Sequence, residues 1–296
     1  MRTERANAKI NLYLDIVSRR PNGYHNLVSI MQTVSLCDLV TVEFRPQPTT
    51  VIRLSASGNA DMPTDCRNLA WKAAERYLEA TDRRGSVTIY IEKHIPMAAG
   101  LAGGSSDAAA VLRALNHLCG NALTTEELCA LGSKLGADVP FCIVGGMSYV
   151  TGVGECLEPI PSMQRCPMVV ACMGEGVSTV WAYGKLDEAH NDFDPPKEEG
   201  SCARELARHL QNGEIGEAGA LFYNLFEEVV PTVQPCVEPL KATMREYGAI
   251  RSMMSGSGPS VFGIFENLSD AERAAKALEQ MGAAAFVCHP CAEYRI

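Results

Sequence analysis

The chain has 296 residues, 47% of them apolar and 21% charged, with a formal net charge of −9 at neutral pH. That balance suits a folded protein of one large domain or two modest ones, and excludes a chain disordered throughout. The acidic surplus argues against broad, charge-driven binding to nucleic acid or to an anionic membrane, yet leaves room for an anionic small molecule gripped by a few placed cations.

The opening MRTERANAKINLYLDIV lacks the apolar run and small-residue cleavage site of a signal peptide. No stretch nears the ~18 uninterrupted apolar residues of a membrane span, so a cytoplasmic protein is expected. Twelve cysteines are scattered along the chain, many inside apolar segments, as at Cys119, Cys129, Cys142 and Cys172. Without a secretory signal they read as reduced thiols that pack as small hydrophobes. Cys288-His289-Pro290-Cys291 has no second pair at zinc-site spacing and reads as part of a terminal strand.

Ile10, Leu12, Leu14 and Ile16 alternate with polar or amphipathic residues, the period of a half-buried strand. Further strands are expected near 38–44, 50–54 and 86–92, and a helix over 68–80. Residues 105–118 form the clearest helix: Ser105, Ser106 and Asp107 open it, alanine and leucine fill it, and Gly120 follows it. Thr124 and Glu127 make a capping box for the next helix, which runs toward Gly136. Beyond residue 160 a strand at 167–172 precedes helical stretches near 178–189, 202–211, 215–228 and 235–247. Strands near 249–254 and 260–266, a helix at 269–281 and a strand at 284–289 close the chain, and Asn191–Ser201 reads as a surface loop. Strand and helix mix without regular βαβ alternation, which predicts an α+β fold, with domains over 1–160 and 161–296.

Pro96-Met97-Ala98-Ala99-Gly100-Leu101-Ala102-Gly103-Gly104-Ser105-Ser106 leads directly into a helix. Small residues leave the backbone bare, and the first N–H groups of a helix lack intrahelical partners, so an anion is favoured there. The alternative is a strand-to-helix connection kept small for packing. The glycines match neither G-x-x-x-x-G-K-[ST] nor G-x-G-x-x-G. A second loop, Ser255-Gly256-Ser257-Gly258-Pro259-Ser260, gains meaning only if it lies beside the first.

Lys9 and Asn11 share one strand face, which is either a solvated edge or a catalytic one. Asp138 either caps a helix before Val139-Pro140 or orients and deprotonates a hydroxyl, with Lys9 offsetting developing charge. Tyr24 and His25, in a turn after the first strand, are structural or else stack on and hydrogen-bond a heterocyclic base.

Three segments in this order resemble the GHMP kinases: Ala8-Lys9-Ile10-Asn11-Leu12 with Arg20-Pro21-Asn22-Gly23-Tyr24-His25, the loop Pro96–Ser106 with Asp107-Ala108-Ala109, and Leu135-Gly136-Ala137-Asp138-Val139-Pro140-Phe141. Ser255-Gly256-Ser257-Gly258 resembles the family's remaining motif. R-P-N-G-Y-H and G-A-D-V-P-F point to the branch whose acceptor is a diphosphocytidyl-linked methylerythritol. The resemblance implies a ribosomal-S5-like N-terminal domain, a ferredoxin-like C-terminal domain and a cleft where ATP and acceptor meet. It implies that Pro96–Ser106 wraps the ATP phosphates with Mg²⁺ and that Asn68 approaches the adenine; among the loop's hydroxyls, Ser106 is expected to face the metal. Lys9 and Asp138 match the catalytic pair; Asn11, Tyr24, His25, Thr179 and Tyr183 match substrate contacts. Ala98, Ala99 and Ala102 stand where glycines are common, a departure expected to cost little if the backbone there has negative φ. The reaction so implied is ATP-dependent phosphorylation of the acceptor's 2-hydroxyl, on the non-mevalonate route to isoprenoids. The alternatives are another small alcohol, such as homoserine or mevalonate, or nucleotide binding without chemistry.

Overall fold

The computed structural model describes residues 1–58, 61–193 and 201–294. Its strands are β1 (Arg2–Arg19), β2 (His25–Pro46), β3 (Val51–Ser57), β4 (Gly85–Glu92), β5 (Met147–Thr151), β6 (Cys156–Ile160), β7 (Met168–Cys172), β8 (Tyr223–Asn224), β9 (Arg251–Met254), β10 (Val261–Ile264) and β11 (Ala284–Cys288). Its α-helices are α1 (Leu69–Ala80), α2 (Gly103–Leu118), α3 (Thr125–Ser133), α4 (Val139–Val144), α5 (Thr179–Ala189), α6 (Ser201–Asn212), α7 (Val237–Glu246) and α8 (Leu268–Gln280).

A seven-stranded sheet runs β3-β4-β2-β1-β8, with β5 paired to β2 and β6 to β5. The long β1–β2 antiparallel hairpin is its spine. Helix α2 lies across β1 and β2, with α1 beside it. Residues Ala108–Leu115 of α2 are almost wholly buried, and burying each larger apolar side chain stabilises the fold by roughly 1.5–3 kcal/mol. A four-stranded antiparallel sheet, β11-β7-β10-β9, carries α7 and α8.

The alternation over Ile10–Ile16 does not mark a half-buried strand. β1 bulges between Asn7 and Lys9, between Asn11 and Tyr13, and between Ile16 and Ser18. Each extra residue flips the side-chain parity, so Ile10 and Leu12 enter one core and Leu14 and Ile16 the other. Both faces of β1 are therefore covered. The first half of β2 is likewise buried from Leu27 to Thr33, except for its edges, and shows no alternation by which to recognise it.

Helix α2 starts at Gly103, two residues before the expected opening, and its N-cap, Ala102, supplies no side-chain bond. The capping box at Thr124 and Glu127 forms as the spacing predicts. The helix expected over 215–228 is instead two 3₁₀ turns (Glu217–Leu221 and Leu225–Glu228) around β8. Of the loop expected at Asn191–Ser201, Asn191–Phe193 is a 3₁₀ turn and residues 194–200 lie outside the described residues. All twelve cysteines are free thiols. Cys288 ends β11, and the segment after it follows β2, where Ser35 N donates to His289 O and Cys291 N to Thr33 O. No helix among the described residues is long and apolar enough to cross a membrane.

Candidate active site

A cleft of about 1040 Å³ is lined by residues from both sheets' halves of the chain. That is large for a single drug-sized ligand and leaves space for two nucleotide-sized groups. Two of the bulges in β1 bracket Lys9 and Asn11 and aim both into the cleft. At Lys9 the backbone N–H leaves the hairpin and donates to Leu101 O at 3.1 Å, which ties the strand to the loop before α2.

Lys9 Nζ donates to Asn11 Oδ1 at 2.7 Å, Asn11 Nδ2 to Ser29 Oγ at 2.9 Å, and Ser29 Oγ to Tyr13 O at 2.5 Å. This chain of bonds fixes the ammonium 3.7 Å from Asp138 Oδ2. Asp138 sits at the N-cap of α4 but makes no capping bond with its side chain. Its carboxylate turns into the cleft with 31% of its side chain exposed, against 6% for Lys9. The helix-cap alternative therefore does not describe it.

The loop ahead of α2 wraps the middle of the cleft. The N–H of Ser106 closes the first intrahelical bond, onto Ala102 O at 2.9 Å, so the N–H groups before it have no acceptor within the helix. Ala98 and Ala102 adopt the left-handed region, φ 51° and 56°, so the condition of negative φ under which these alanines would cost little is not met at either, and is met at Ala99. Gly100, at φ 77°, allows no side chain, because a Cβ would lie 2.2 Å from Ser255 O. The two small-residue loops do lie together: Ser255 Oγ donates to Gly100 O at 3.1 Å and Ser260 N to Ala99 O at 3.3 Å. Asn224 Nδ2 holds the second loop from behind through Met254 O and Gly256 O.

Two of the expected loop contacts are corrected. Ser106 Oγ donates to Asn7 O, the residue is 1% exposed, and it does not line the cleft, so it is not a metal-facing hydroxyl; Ser105 is the serine at the wall. Leu101 is buried in the core, and only its carbonyl serves the site. The other loop residues from Pro96 to Ser105 line the cleft. Asn68 lines it too, but its amide caps α1 through Ala70 N and donates to Pro63 O.

At the far end, His25 lies flat against Tyr183, ring centroids 4.7 Å apart and 20° between planes. Phe226 meets Tyr183 edge-on, and Tyr24 stands at the rim, 63% exposed. Burial pushes the Tyr183 phenol well above its ordinary value, which keeps it a neutral, stacking ring. Thr179 Oγ1 lies 3.1 Å from Ser257 Oγ. Asp187 and Arg19 complete this end: Asp187 Oδ1 is 2.6 Å from His25 Nε2, and Oδ2 is 3.5 Å from Arg19 Nε.

Beneath the loop, Lys93 is held between Asp38 and Asp107, with Asp107 Oδ2 at 2.8 Å, and all three side chains are nearly wholly buried. Asp38 Oδ1 also accepts from His94 N and Ile95 N. Burial raises the Asp107 carboxyl to about 7, against the pull of Lys93, and the adjoining carboxylates raise Lys93 against its own burial. Asp187, Arg19, Phe226 and Lys93 were not singled out by motif, and Asp107 was read as a helix-opening residue of the loop motif without a role in the site; Arg19, directly before the recognised Arg20–His25 turn, was the one other local signal.

Comparison with known proteins decides the family. The GHMP kinases N terminal domain matches residues 68–146 and the GHMP kinases C terminal domain residues 203–284. A 4-diphosphocytidyl-2-C-methyl-D-erythritol kinase of Alkaliphilus metalliredigens (strain QYMF) is 43% identical over 270 residues, 91% of this chain and 90% of its own.

The chain belongs to the GHMP kinases, in the 4-diphosphocytidyl-2-C-methyl-D-erythritol kinase family.

A second family member, from Geobacillus kaustophilus (strain HTA426), is 42% identical over 91% of the chain and 90% of its own. A crystal structure of a 4-(cytidine 5'-diphospho)-2C-methyl-D-erythritol kinase superposes with a TM-score of 0.81 at 33% identity, covering 98% of this chain and 99% of that one. An L. major mevalonate kinase, 18% identical, shares the fold with a TM-score of 0.74 over 99% and 97% of the two chains. The α+β, two-domain GHMP kinase fold is thus common to the chain and its family, and ATP is the family's co-substrate.

Proposed function

We propose that this kinase transfers the γ-phosphoryl group of ATP to the 2-hydroxyl of 4-diphosphocytidyl-2-C-methyl-D-erythritol, giving ADP and the 2-phosphate. The observation that carries the reading is one cleft holding the Lys9–Asp138 pair, the phosphate loop and an aromatic–imidazole end. The names of relatives above 40% identity support the acceptor.

In this reading Asp138 accepts a hydrogen bond from the acceptor hydroxyl and takes its proton as the oxygen attacks the γ-phosphorus. The bond from γ-phosphorus to the bridging oxygen of ADP breaks in the same displacement. Lys9, immobilised by Asn11, places positive charge where negative charge gathers on the phosphoryl oxygens. The bare N–H groups at the start of α2 hold the ATP phosphates, and positioning supplies most of the acceleration. Asn11 and Thr179 contact the acceptor, and Tyr24, His25 and Tyr183 hold its cytosine.

The cleft also suits Mg²⁺. The cation takes oxygen ligands, often one or two from protein with the rest from phosphates and water. Asp107 Oδ1 is a buried oxygen without a hydrogen-bond partner, on a residue that lines the cleft, and Ser105 adds a hydroxyl. These two would hold the ion, which when bound neutralises phosphate charge. The reading further divides the protein near residue 160 and places it in the cytoplasm, with a small-molecule acceptor and neither nucleic acid nor membrane as partner.

The test offers ATP, Mg²⁺ and, in parallel, 4-diphosphocytidyl-2-C-methyl-D-erythritol, mevalonate and homoserine, with products identified by mass. A phosphorylated product from the cytidyl acceptor alone is expected. Turnover of another acceptor instead would refute the substrate while keeping the kinase.

A further inference from the structure

His25 does not stand alone at the base end of the cleft. Its ring is 6% exposed and is fixed on three sides: Tyr183 against one face, the edge of Phe193 at 5.9 Å, and Asp187 at Nε2. A carboxylate only accepts hydrogen bonds, so the 2.6 Å contact puts a proton on Nε2. Nδ1 has no hydrogen-bond partner among the described residues. When the imidazole is neutral, that tautomer presents Nδ1 as a bare acceptor. Asp187 is itself 14% exposed and spans two residues of the cleft, His25 through Oδ1 and Arg19 through Oδ2. It reaches His25 from α5, 162 residues away along the chain.

We propose that Asp187 is a specificity-determining positioning residue that locks the His25 tautomer, so that Nδ1 selects a pyrimidine bearing an exocyclic amine over one bearing a carbonyl. The inference rests on the acceptor reading above. Cytosine offers an N–H from its amino group to such an acceptor. Uracil places a carbonyl oxygen at that position, and two lone pairs then face each other with no proton between them. A buried acceptor left unpaired costs enough to discriminate by about 10- to 100-fold. Arg19 ties the same carboxylate to a cation at the cleft wall, which keeps Asp187 from rotating away from His25.

The test compares the wild type with Asp187→Asn and Asp187→Ala, using CDP and UDP as probes in calorimetry and histidine-selective ¹⁵N NMR for the tautomer. Asparagine is nearly isosteric but accepts or donates, so it no longer dictates where the proton sits. The wild type is expected to bind CDP about 10- to 100-fold more tightly than UDP, with His25 protonated at Nε2 alone. Both variants should narrow that preference by about tenfold or more through weaker CDP binding, and Asp187→Asn should populate both tautomers. In turnover the change should fall on KM for the cytidyl acceptor rather than on kcat. An unchanged CDP-to-UDP ratio in a folded variant, or a wild-type His25 protonated at Nδ1, overturns the inference alone. A wild type that binds neither nucleotide while phosphorylating a base-free acceptor overturns the acceptor reading and the inference with it.

Discussion

Replacing Ala98 by glycine should stabilise this protein, although alanine-to-glycine changes ordinarily weaken one. Ala98 holds φ 51° in an exposed stretch of the phosphate loop. An L-residue there suffers a clash of its Cβ worth about 1–2 kcal/mol, which glycine escapes. Glycine adds unfolded-chain entropy of about 0.5–1 kcal/mol, and the methyl lost belongs to an exposed residue whose neighbour, Gly176, has no side chain to pack on it. The net expectation is a gain of about 0.5–1 kcal/mol. Ala99 supplies the control, since it is buried and lies outside the left-handed region. Ala99→Gly should cost about 1 kcal/mol or more, from entropy and the vanished methyl contact. Urea denaturation of the ligand-free protein, read as a shift in midpoint at constant slope, reports both signs. Equal losses in the two variants would refute the strain argument.

Two further outcomes follow from contacts around the loop. Lys93→Met leaves Asp38 and Asp107 buried without their shared cation, and should lower the unfolding free energy by about 3–5 kcal/mol in denaturant titration; a loss under about 1 kcal/mol would contradict the triad's structural role. Gly100→Ala puts a methyl 2.2 Å from Ser255 O at φ 77°. It should separate the two loops and weaken ATP binding by at least about tenfold in calorimetry, since the backbone of both loops must shift. Unchanged affinity would show that their contact does not shape the phosphate site.

Much of this architecture is local and so was legible. The Thr124–Glu127 box announces α3 because its two bonds join neighbours in sequence. Local pattern left Pro96–Ser106, Lys9, Asn11 and Asp138 each with a structural alternative, and the motif resemblance to the GHMP kinases chose the functional one; all of them but Leu101 and Ser106 line the cleft. What escaped depends on long-range packing. Nothing in Asn7–Tyr13 signals the bulges that change faces along β1, and a strand buried on both sides, such as the start of β2, has no period to read. The pairing of His25 with Asp187 joins a turn to a helix of the other half. The left-handed alanines escaped for a related reason: nothing in a run of small residues fixes φ, and the bonds that tie this loop to the second one fall on their neighbours, Ala99 and Gly100.

The most direct test of the central claim is the turnover of Asp138→Asn. The substitution keeps the size of the side chain, which makes no capping bond that could be lost. If Asp138 receives the acceptor's proton beside Lys9, kcat should fall by about 10²–10⁴-fold while KM for both substrates stays within a few-fold. Near-normal turnover in the folded variant would contradict the account and require another group to take that proton.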